Sequence, residues 1–482
     1  MNDTYRPEYH FTPPSNWMND PNGLVFFDGE YHLFYQYHPH STVWGPMHWG
    51  HAVSTDLVHW QHLPIALYPD ERGMIFSGSA VIDWNNTAGF GKEAMIAIFT
   101  YNNHTYDNKN RVEDQNIAYS TDRGRTWTKY AGNPVVPHPG NLTDFRDPKV
   151  FWHEDHWVMV LAAGDRVLFY ISPDLKKWEP SGSFGGGYGS TEGVWETPDL
   201  FKLTVDSTAQ TRWALTVGVG SGASAGGSGT QYFIGHFDGK VFVSENPKEV
   251  ILWADYGADY YAPQSWSNEP NGRRIMIGWM SNWQYAREVP SEGWRGMFSV
   301  PREVSLTSTA NGVRLVHKPI PELEVLRVKG WHWQNQIVQS GENLLASLTG
   351  EAFEIIVEFQ VQRSVNSFGL HVRRGGEERT TIGYNSRSQE VFIDRTRSGQ
   401  SEFKDGFAAR HAAHLEPEDQ TVCLHIFVDR CSVEVFANDG IITLSDLIYP
   451  SPRSLELEFF AEGSDVFIKL LDVYPMTSTN FI

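Results

Sequence analysis

Ser54-Thr55-Asp56-Leu57-Val58-His59-Trp60 recurs as Ser120-Thr121-Asp122-Arg123-Gly124-Arg125-Thr126-Trp127 and again as Ser172-Pro173-Asp174-Leu175-Lys176-Lys177-Trp178. Each copy follows a short β-rich run, such as Ile117-Ala118-Tyr119 or Leu168-Phe169-Tyr170-Ile171. Each reads as a hairpin: a strand, a polar turn through Asp, then a strand opened by Trp. A weaker fourth copy is Tyr232-Phe233-Ile234-Gly235-His236-Phe237-Asp238-Gly239-Lys240-Val241-Phe242. Hairpins returning every roughly 50–65 residues, with little helical periodicity, predict four-stranded propeller blades. About 300 residues at this spacing accommodate five blades.

The pattern changes after Pro301-Arg302-Glu303-Val304. The Pro-rich stretch Pro319-Ile320-Pro321-Glu322-Leu323-Glu324 reads as a link, and from about residue 335 alternating runs such as Phe353-Glu354-Ile355-Ile356-Val357-Glu358-Phe359 and Ser432-Val433-Glu434-Val435-Phe436 suit an antiparallel β-sandwich. The expectation is an all-β chain: a five-bladed propeller over 1–318, a linker over 319–334 and a sandwich over 335–482. At 482 residues the chain exceeds one ordinary core, in keeping with two domains. The Gly-rich segment Ser221-Gly222-Ala223-Ser224-Ala225-Gly226-Gly227-Ser228-Gly229 lacks the lysine of a phosphate loop and reads as a flexible surface loop.

A hydrophobic share of 40% without an apolar run long enough to span a bilayer argues for a soluble protein and against a membrane partner. The net charge of −20 argues against nucleic acid, which needs clustered Lys and Arg. Met1-Asn2-Asp3-Thr4-Tyr5-Arg6 lacks the basic segment and apolar core of a secretion signal, so the expected location is cytoplasmic as written, or outside the cell if a leader has been removed. Cys423 and Cys431 flank a hairpin whose turn is expected at Asp429-Arg430. That register sets Cys431 opposite Val428 and Cys423 at the far end, which predicts two free structural thiols.

Three acidic segments carry the chemistry: Trp17-Met18-Asn19-Asp20-Pro21-Asn22-Gly23, Phe145-Arg146-Asp147-Pro148 and Val194-Trp195-Glu196-Thr197-Pro198-Asp199. A residue before proline is driven toward extended backbone, so Asp20 and Asp147 are expected on stiff, extended chain. The segments fall on three different expected blades, and a propeller brings inner strands around one axis. Glycoside hydrolysis needs paired carboxylates, one attacking the anomeric carbon or activating water and one protonating the leaving oxygen. A further carboxylate can hold substrate and stabilise developing positive charge. The acid needs a raised pKa, whereas the nucleophile must stay charged. Aromatics make up 14% of the residues; most suit sheet packing, and those beside the acidic segments suit stacking on sugars.

The first two segments together resemble glycoside hydrolase family 32, the β-fructofuranosidases, and the likeness extends to Val433-Glu434-Val435-Phe436-Ala437-Asn438-Asp439-Gly440. The family's five-bladed propeller and β-sandwich agree with the reading above. The resemblance implies that Asp20 is the nucleophile, Glu196 the acid/base, and Asp147 the carboxylate that binds fructose hydroxyls and stabilises the transition state. Asn19, Gln36, Trp44, Phe76, Ser77, Arg146 and Trp279 match positions lining the fructose subsite. One departure is Thr197, where the family often has Cys. Read without the family, Gln36 suits a satisfied strand amide, Arg146 a simple partner for Asp147, and Trp44 and Trp279 core packing. His48, His51 and His59 point in mixed directions from a β region, so no metal is assigned, and no cofactor is expected.

Trp44-Gly45-Pro46-Met47-His48-Trp49-Gly50-His51-Ala52-Val53, Leu67-Tyr68-Pro69-Asp70 and Tyr5-Arg6-Pro7-Glu8-Tyr9-His10-Phe11-Thr12-Pro13 are similar to bacterial levanases and exo-inulinases. The resemblance implies release of terminal fructose from levan, inulin, fructo-oligosaccharides and sucrose. An intracellular sucrose hydrolase, a fructosyltransferase and a non-catalytic sugar binder are the alternatives.

Overall fold

The computed structural model describes residues 4–103, 112–339, 341–361 and 366–479. Seven antiparallel-rich sheets account for its strands. Five of them are propeller blades, and the other two form a β-sandwich. The inner strands of the blades are Asn16–Phe27, Met74–Asp83, Arg146–His153, Trp195–Thr204 and Tyr261–Ser265. Each is followed outward by its own hairpins. In blade 1 the inner strand also pairs in parallel with Trp294–Arg295, a segment lying after the first strands of blade 5, so the end of the ring is tied to its beginning.

The sequence repeat is the turn between the third and fourth strands of a blade. In blade 1 it joins His48–Ser54 to Gln61–Leu67, in blade 2 Glu113–Ser120 to Thr128–Lys129, and in blade 3 Arg166–Ser172 to Glu179–Gly185. Its residue types follow from its hydrogen bonds. Ser54 donates to Asp56 Oδ1 (3.0 Å), the same oxygen accepts from the backbone N–H of Val58 and His59, and the Trp60 indole donates to Leu57 O (3.1 Å). Asp122 with Trp127 and Asp174 with Trp178 repeat this arrangement. The third residue after Ser54 and Ser172, Leu57 and Leu175, takes a left-handed φ of 65° and 62°. A side-chain oxygen thus replaces ladder partners lost at the turn. In the weaker copy Asp238 still accepts from Lys240 and Val241 N–H, joining Gly229–Phe237 to Phe242–Ser244.

The sandwich packs a six-stranded sheet against a five-stranded one. Alternation in Phe353–Gln360 and Thr421–Asp429 sends Ile355, Val357, Leu424 and Ile426 inward against Leu370, Ile382 and Ile393 of the other sheet. Its first strand, Trp331–Val338, opens before residue 335, because it pairs along Val466–Pro475; the stretch before it holds a short 3₁₀ turn, Pro321–Leu326. The hairpin turn is also displaced by one residue from the expected position: Asp429 pairs with Ser432, leaving Arg430-Cys431 as the turn. Asp429 is held in the strand because its carboxylate accepts from Glu8 N, Tyr9 N and His10 Nδ1 (2.8–3.2 Å). Both cysteines are free thiols.

The two domains meet through buried charge. Arg302 donates to Asp255 (2.9 Å), to Glu434 (2.6 Å) and to Ser445 (2.6 Å), with its guanidinium 3.9 Å from the Tyr260 ring centre. Glu434 also accepts from Val300 N and bonds His10 Nε2. Arg395 of the sandwich reaches Asp259 of the propeller (2.8 Å).

Candidate active site

Each inner strand breaks its pairing at one level of the channel: between Met18 and Pro21, Ile75 and Gly78, Arg146 and Lys149, Glu196 and Asp199, and Tyr261 and Gln264. A bulge of this kind bends a strand and re-aims a side chain. Asp20, Ser77, Asp147 and Glu196 all sit at these breaks. In three successive blades the break carries an X-Pro pair, Asp147-Pro148, Thr197-Pro198 and Ala262-Pro263, with left-handed φ of 64°, 47° and 51° at the residue before proline. Asp147 is therefore not extended as expected. Cross-blade bonds impose the conformation: Asp147 N–H donates to Thr100 Oγ1 (3.1 Å) and its carboxylate accepts from Thr197 N–H (2.9 Å).

These breaks surround a cavity of about 520 Å³ lined by Asn19, Asp20, Gln36, Trp44, Phe76, Ser77, Arg146, Asp147 and Glu196, together with Asp144, Val194, Gly220, Ser221, Trp283 and Arg287. Nine of the ten residues named from the sequence thus share one pocket. Asn19 is fixed by the Trp17 indole N–H (2.8 Å), and Ser77 Oγ donates to Asp20 Oδ2 (3.4 Å). Gln36 is not a satisfied strand amide: its buried Nε2 has no partner among the described residues, nor has Asp20 Oδ1. Buried polar atoms left open in a pocket are groups a polar ligand can satisfy.

Arg146 does more than pair with Asp147, which lies 3.9 Å away. Its Nη2 donates to Glu196 Oε1 (2.8 Å), and Nη1 contacts Glu113 (3.3 Å) and Asp144. The Tyr261 hydroxyl donates to the other oxygen of Glu196. Glu196 is thereby gripped from both sides, its carboxyl plane fixed by blades 3 and 5. Burial, and then the charge of Glu196, push Asp20 up to about 7 against the opposing bonds from Asn19 and Ser77. Burial also lifts Asp147; Arg146 opposes, Glu196 and Asp20 add, and it reaches about 8. The need for a charged nucleophile led to the opposite expectation for Asp20. Asp20 and Asp147, both buried beside Glu196, cannot both ionise freely, so these two titrate together.

Trp279 is the exception among the named residues. It ends the strand Ile275–Trp279, is 1% exposed, and packs beneath the pocket against Trp17 (ring centres 6.1 Å apart) and Tyr261 (6.4 Å). The chain then turns, and Trp283, 4.8 Å above Trp279, reaches the cavity instead, followed by Arg287. The Gly-rich segment is also not free at its end. Asn282 Nδ2 donates to Gly226 O and Ser228 O (3.0 and 3.2 Å), and Gly220-Ser221 line the pocket. A Cβ on Gly227, at φ 66°, would lie 2.1 Å from Asn282 Oδ1, which accounts for glycine there. Glu113, Asp144, Tyr261, Trp283 and Arg287 were not singled out from the sequence. The shared form of Arg146-Asp147-Pro148, Glu196-Thr197-Pro198 and Tyr261-Ala262-Pro263 is the signal that marks Tyr261.

Comparison with known proteins places this geometry in context. The model described as glycosyl hydrolases family 32 N-terminal domain matches residues 10–319, and that described as the family's C terminal matches 322–475. The chain is 53% identical to a levanase of Bacillus subtilis, over 98% of this chain and 70% of the relative. It is 38% identical to an extracellular exo-inulinase of Aspergillus ficuum, over 98% and 95% of the two chains. The crystal structure of an exo-inulinase from Aspergillus awamori superposes with a TM-score of 0.93 at 36% identity, covering 98% of this chain and 99% of that one.

Proposed function

The chain belongs to glycosyl hydrolase family 32, and from that premise we propose a retaining exo-β-fructosidase that releases terminal fructose from β-fructans and from sucrose. The observation that carries the proposal is the convergence of Asp20, Asp147 and Glu196 from three blades on one pocket, with Glu196 held by Arg146 and Tyr261. Asp20 attacks C2 of the terminal fructofuranosyl unit while Glu196 gives its proton to the departing glycosidic oxygen, leaving fructose esterified to Asp20. Glu196, now ionised, takes a proton from water, whose oxygen attacks C2 and frees the Asp20 carboxylate. Asp147 receives fructose hydroxyls and faces the positive charge that develops at the ring. A polymeric substrate suits an enzyme working outside the cell.

The mechanism is tested by NMR of the first fructose released from sucrose, read before mutarotation. Two displacements at C2 give the β-anomer; the α-anomer as first product would remove Asp20 from the nucleophile role. Incubation with sucrose, inulin and levan separately tests the exo mode: fructose alone accumulates from the polymers, whereas a ladder of oligomers means endo-cleavage or transfer.

Tyr261 touches the acid rather than the sugar ring, so its removal has a distinct signature. Tyr261→Phe loses a hydrogen bond to an ionisable carboxyl, worth about 1.5–3 kcal/mol. Turnover of sucrose is expected to fall about tenfold or more, and turnover of an aryl fructoside with a good leaving group by clearly less. Equal losses on both substrates would count against a positioning role toward the acid.

A further inference from the structure

The propeller has a second cavity, of about 420 Å³, toward the other end of its channel. It is lined by the continuation of the inner strands that carry the catalytic-end residues: Val81 and Ile82 beyond Ser77, Val150 to Trp152 beyond Asp147, Leu200 to Lys202 beyond Glu196. From Asp147 to Trp152 the strand advances roughly 16 Å at about 3.3 Å per residue, so the two sites are distinct.

Its rim is unusual for this protein. Trp17, Trp49, Trp195, Trp266 and Trp279 are less than 2% exposed, yet Trp84 is 51% and Trp152 39% exposed, both on this cavity, while Trp331, at 41%, stands apart on the sandwich. Large exposed aromatic surface is a standing cost in water and marks binding surfaces. The Trp84 ring stands edge-on to Phe27, and no hydrogen bond is made by its indole N–H among the described residues. Trp152 is braced by its indole N–H on Glu154 O (2.9 Å) and by an edge contact with Trp157. The side-chain amides of Asn85 and Asn268 share the rim.

Arg274 completes the set. Its Nη1 donates to Ser265 Oγ and Trp266 O (3.2 Å each), and the guanidinium lies over Phe201. It makes no ion pair among the described residues, whereas neighbouring Lys149 is paired with Asp199 at 3.0 Å. Nε and Nη2 make no hydrogen bond among the described residues, and Arg274 lines the cavity. Asp199 and Glu269 act on Arg274 from a distance, but each is already paired, with Lys149 and Arg273. The lining also holds Lys149 and the exposed Lys202, so its donors are cationic; with the neutral amides and bare indole faces they suit a sugar chain, hydroxyls for the donors and C–H faces for the rings.

We propose that this cavity is a second, non-catalytic binding site for β-fructan chains, an inference that rests on fructan being the substrate. A polymer held there raises the local concentration of chain ends at the catalytic mouth without any new catalytic contact. Sucrose is too short to gain from it.

The test uses the full chain and two variants, Trp84→Ala/Trp152→Ala and Arg274→Gln, with levan and sucrose as substrates and native gels containing levan or dextran. Wild-type protein should be retarded by levan but not by dextran, and the variants should lose most of that retardation. KM for levan should rise about fivefold with kcat kept, and sucrose kinetics should stay within about twofold. Trp84→Gln, at a half-exposed position, repeats the test if the double variant does not fold. Unchanged levan retardation in the variants, equal retardation by dextran, or thermal stabilisation by inorganic phosphate in place of fructan would each overturn the proposal. Levan retardation in a wild-type enzyme that cleaves neither sucrose nor levan would instead overturn the catalytic reading and leave this site standing.

Discussion

Asp20→Ala is expected to lower sucrose turnover by on the order of 10⁴-fold or more, and Glu196→Ala by about 10²–10⁴-fold, with thermal stability changed little in either case. Neither carboxylate is used to hold the fold. Among the described residues, Asp20 has one buried oxygen without a partner and one 3.4 Å from Ser77, and the Glu196 carboxylate bonds Arg146 and Tyr261. The two losses should be told apart by rescue with azide, using a fructoside with a good leaving group. In Glu196→Ala the fructosyl-enzyme still forms, and azide replaces the water that no longer has a base; the product is the β-fructosyl azide. In Asp20→Ala azide can enter the space of the missing carboxylate and attack once, which gives the α-fructosyl azide. Near-normal sucrose turnover by Glu196→Ala would reject that residue as the acid. The same azide anomer from both variants would reject the division of roles.

The propeller was legible because its turn chemistry repeats. Ser-x-Asp, a left-handed residue and a Trp that folds back form one hydrogen-bonded unit, and that unit puts the same letters in blades 1, 2 and 3. The acidic segments could be picked out from their sequence pattern, but the proline rule misread the backbone at Asp147, which cross-blade bonds set. What stayed hidden depends on contacts between distant segments. Tyr261-Ala262-Pro263 shares its form with the Arg146 and Glu196 segments, but the task of Tyr261 shows only when blade 5 is set beside blade 4, where its hydroxyl finds Glu196. Trp279 and Trp283 are both plausible sugar platforms in one dimension; which faces the cavity is decided by where the strand ends. The raised values of Asp20 and Asp147 come from burial and from the charge of Glu196, and neither is readable from a segment alone. Glu434 was visible as part of a pattern near the chain's end, but its task, joining the domains through Arg302 and His10, needs both domains to be seen.

That junction supplies the largest expected effect on stability. Arg302→Ala should destabilise the protein by about 3–5 kcal/mol, because it leaves Asp255 and Glu434 buried beside an empty space. A fall in Tm of about 3–5 °C is expected, while sucrose kcat at 25 °C stays near the wild-type value, since Arg302 does not line the pocket. A loss below about 1 kcal/mol would mean that water or rearranged neighbours satisfy those carboxylates. The pH dependence follows from the same cluster. Burial opposes the charged form of His10, but its bonds to Asp429 and Glu434 outweigh burial and lift it from 6.5 to about 9. Its contribution is complete below pH 6.5 and is lost as pH rises through 9. Burial would raise Asp429 and Glu434, yet His10 on the first, and Arg302 with His10 on the second, hold both below the ordinary carboxylate range. Their contribution is present above the unfolded carboxylate values and is lost as pH falls through the lower folded ones. Wild-type Tm should therefore drop on both sides of neutrality. In His10→Gln the alkaline drop between pH 6.5 and 9 should flatten, and thermal melts across that range decide it: an alkaline limb unchanged by the substitution would place its origin outside this interface.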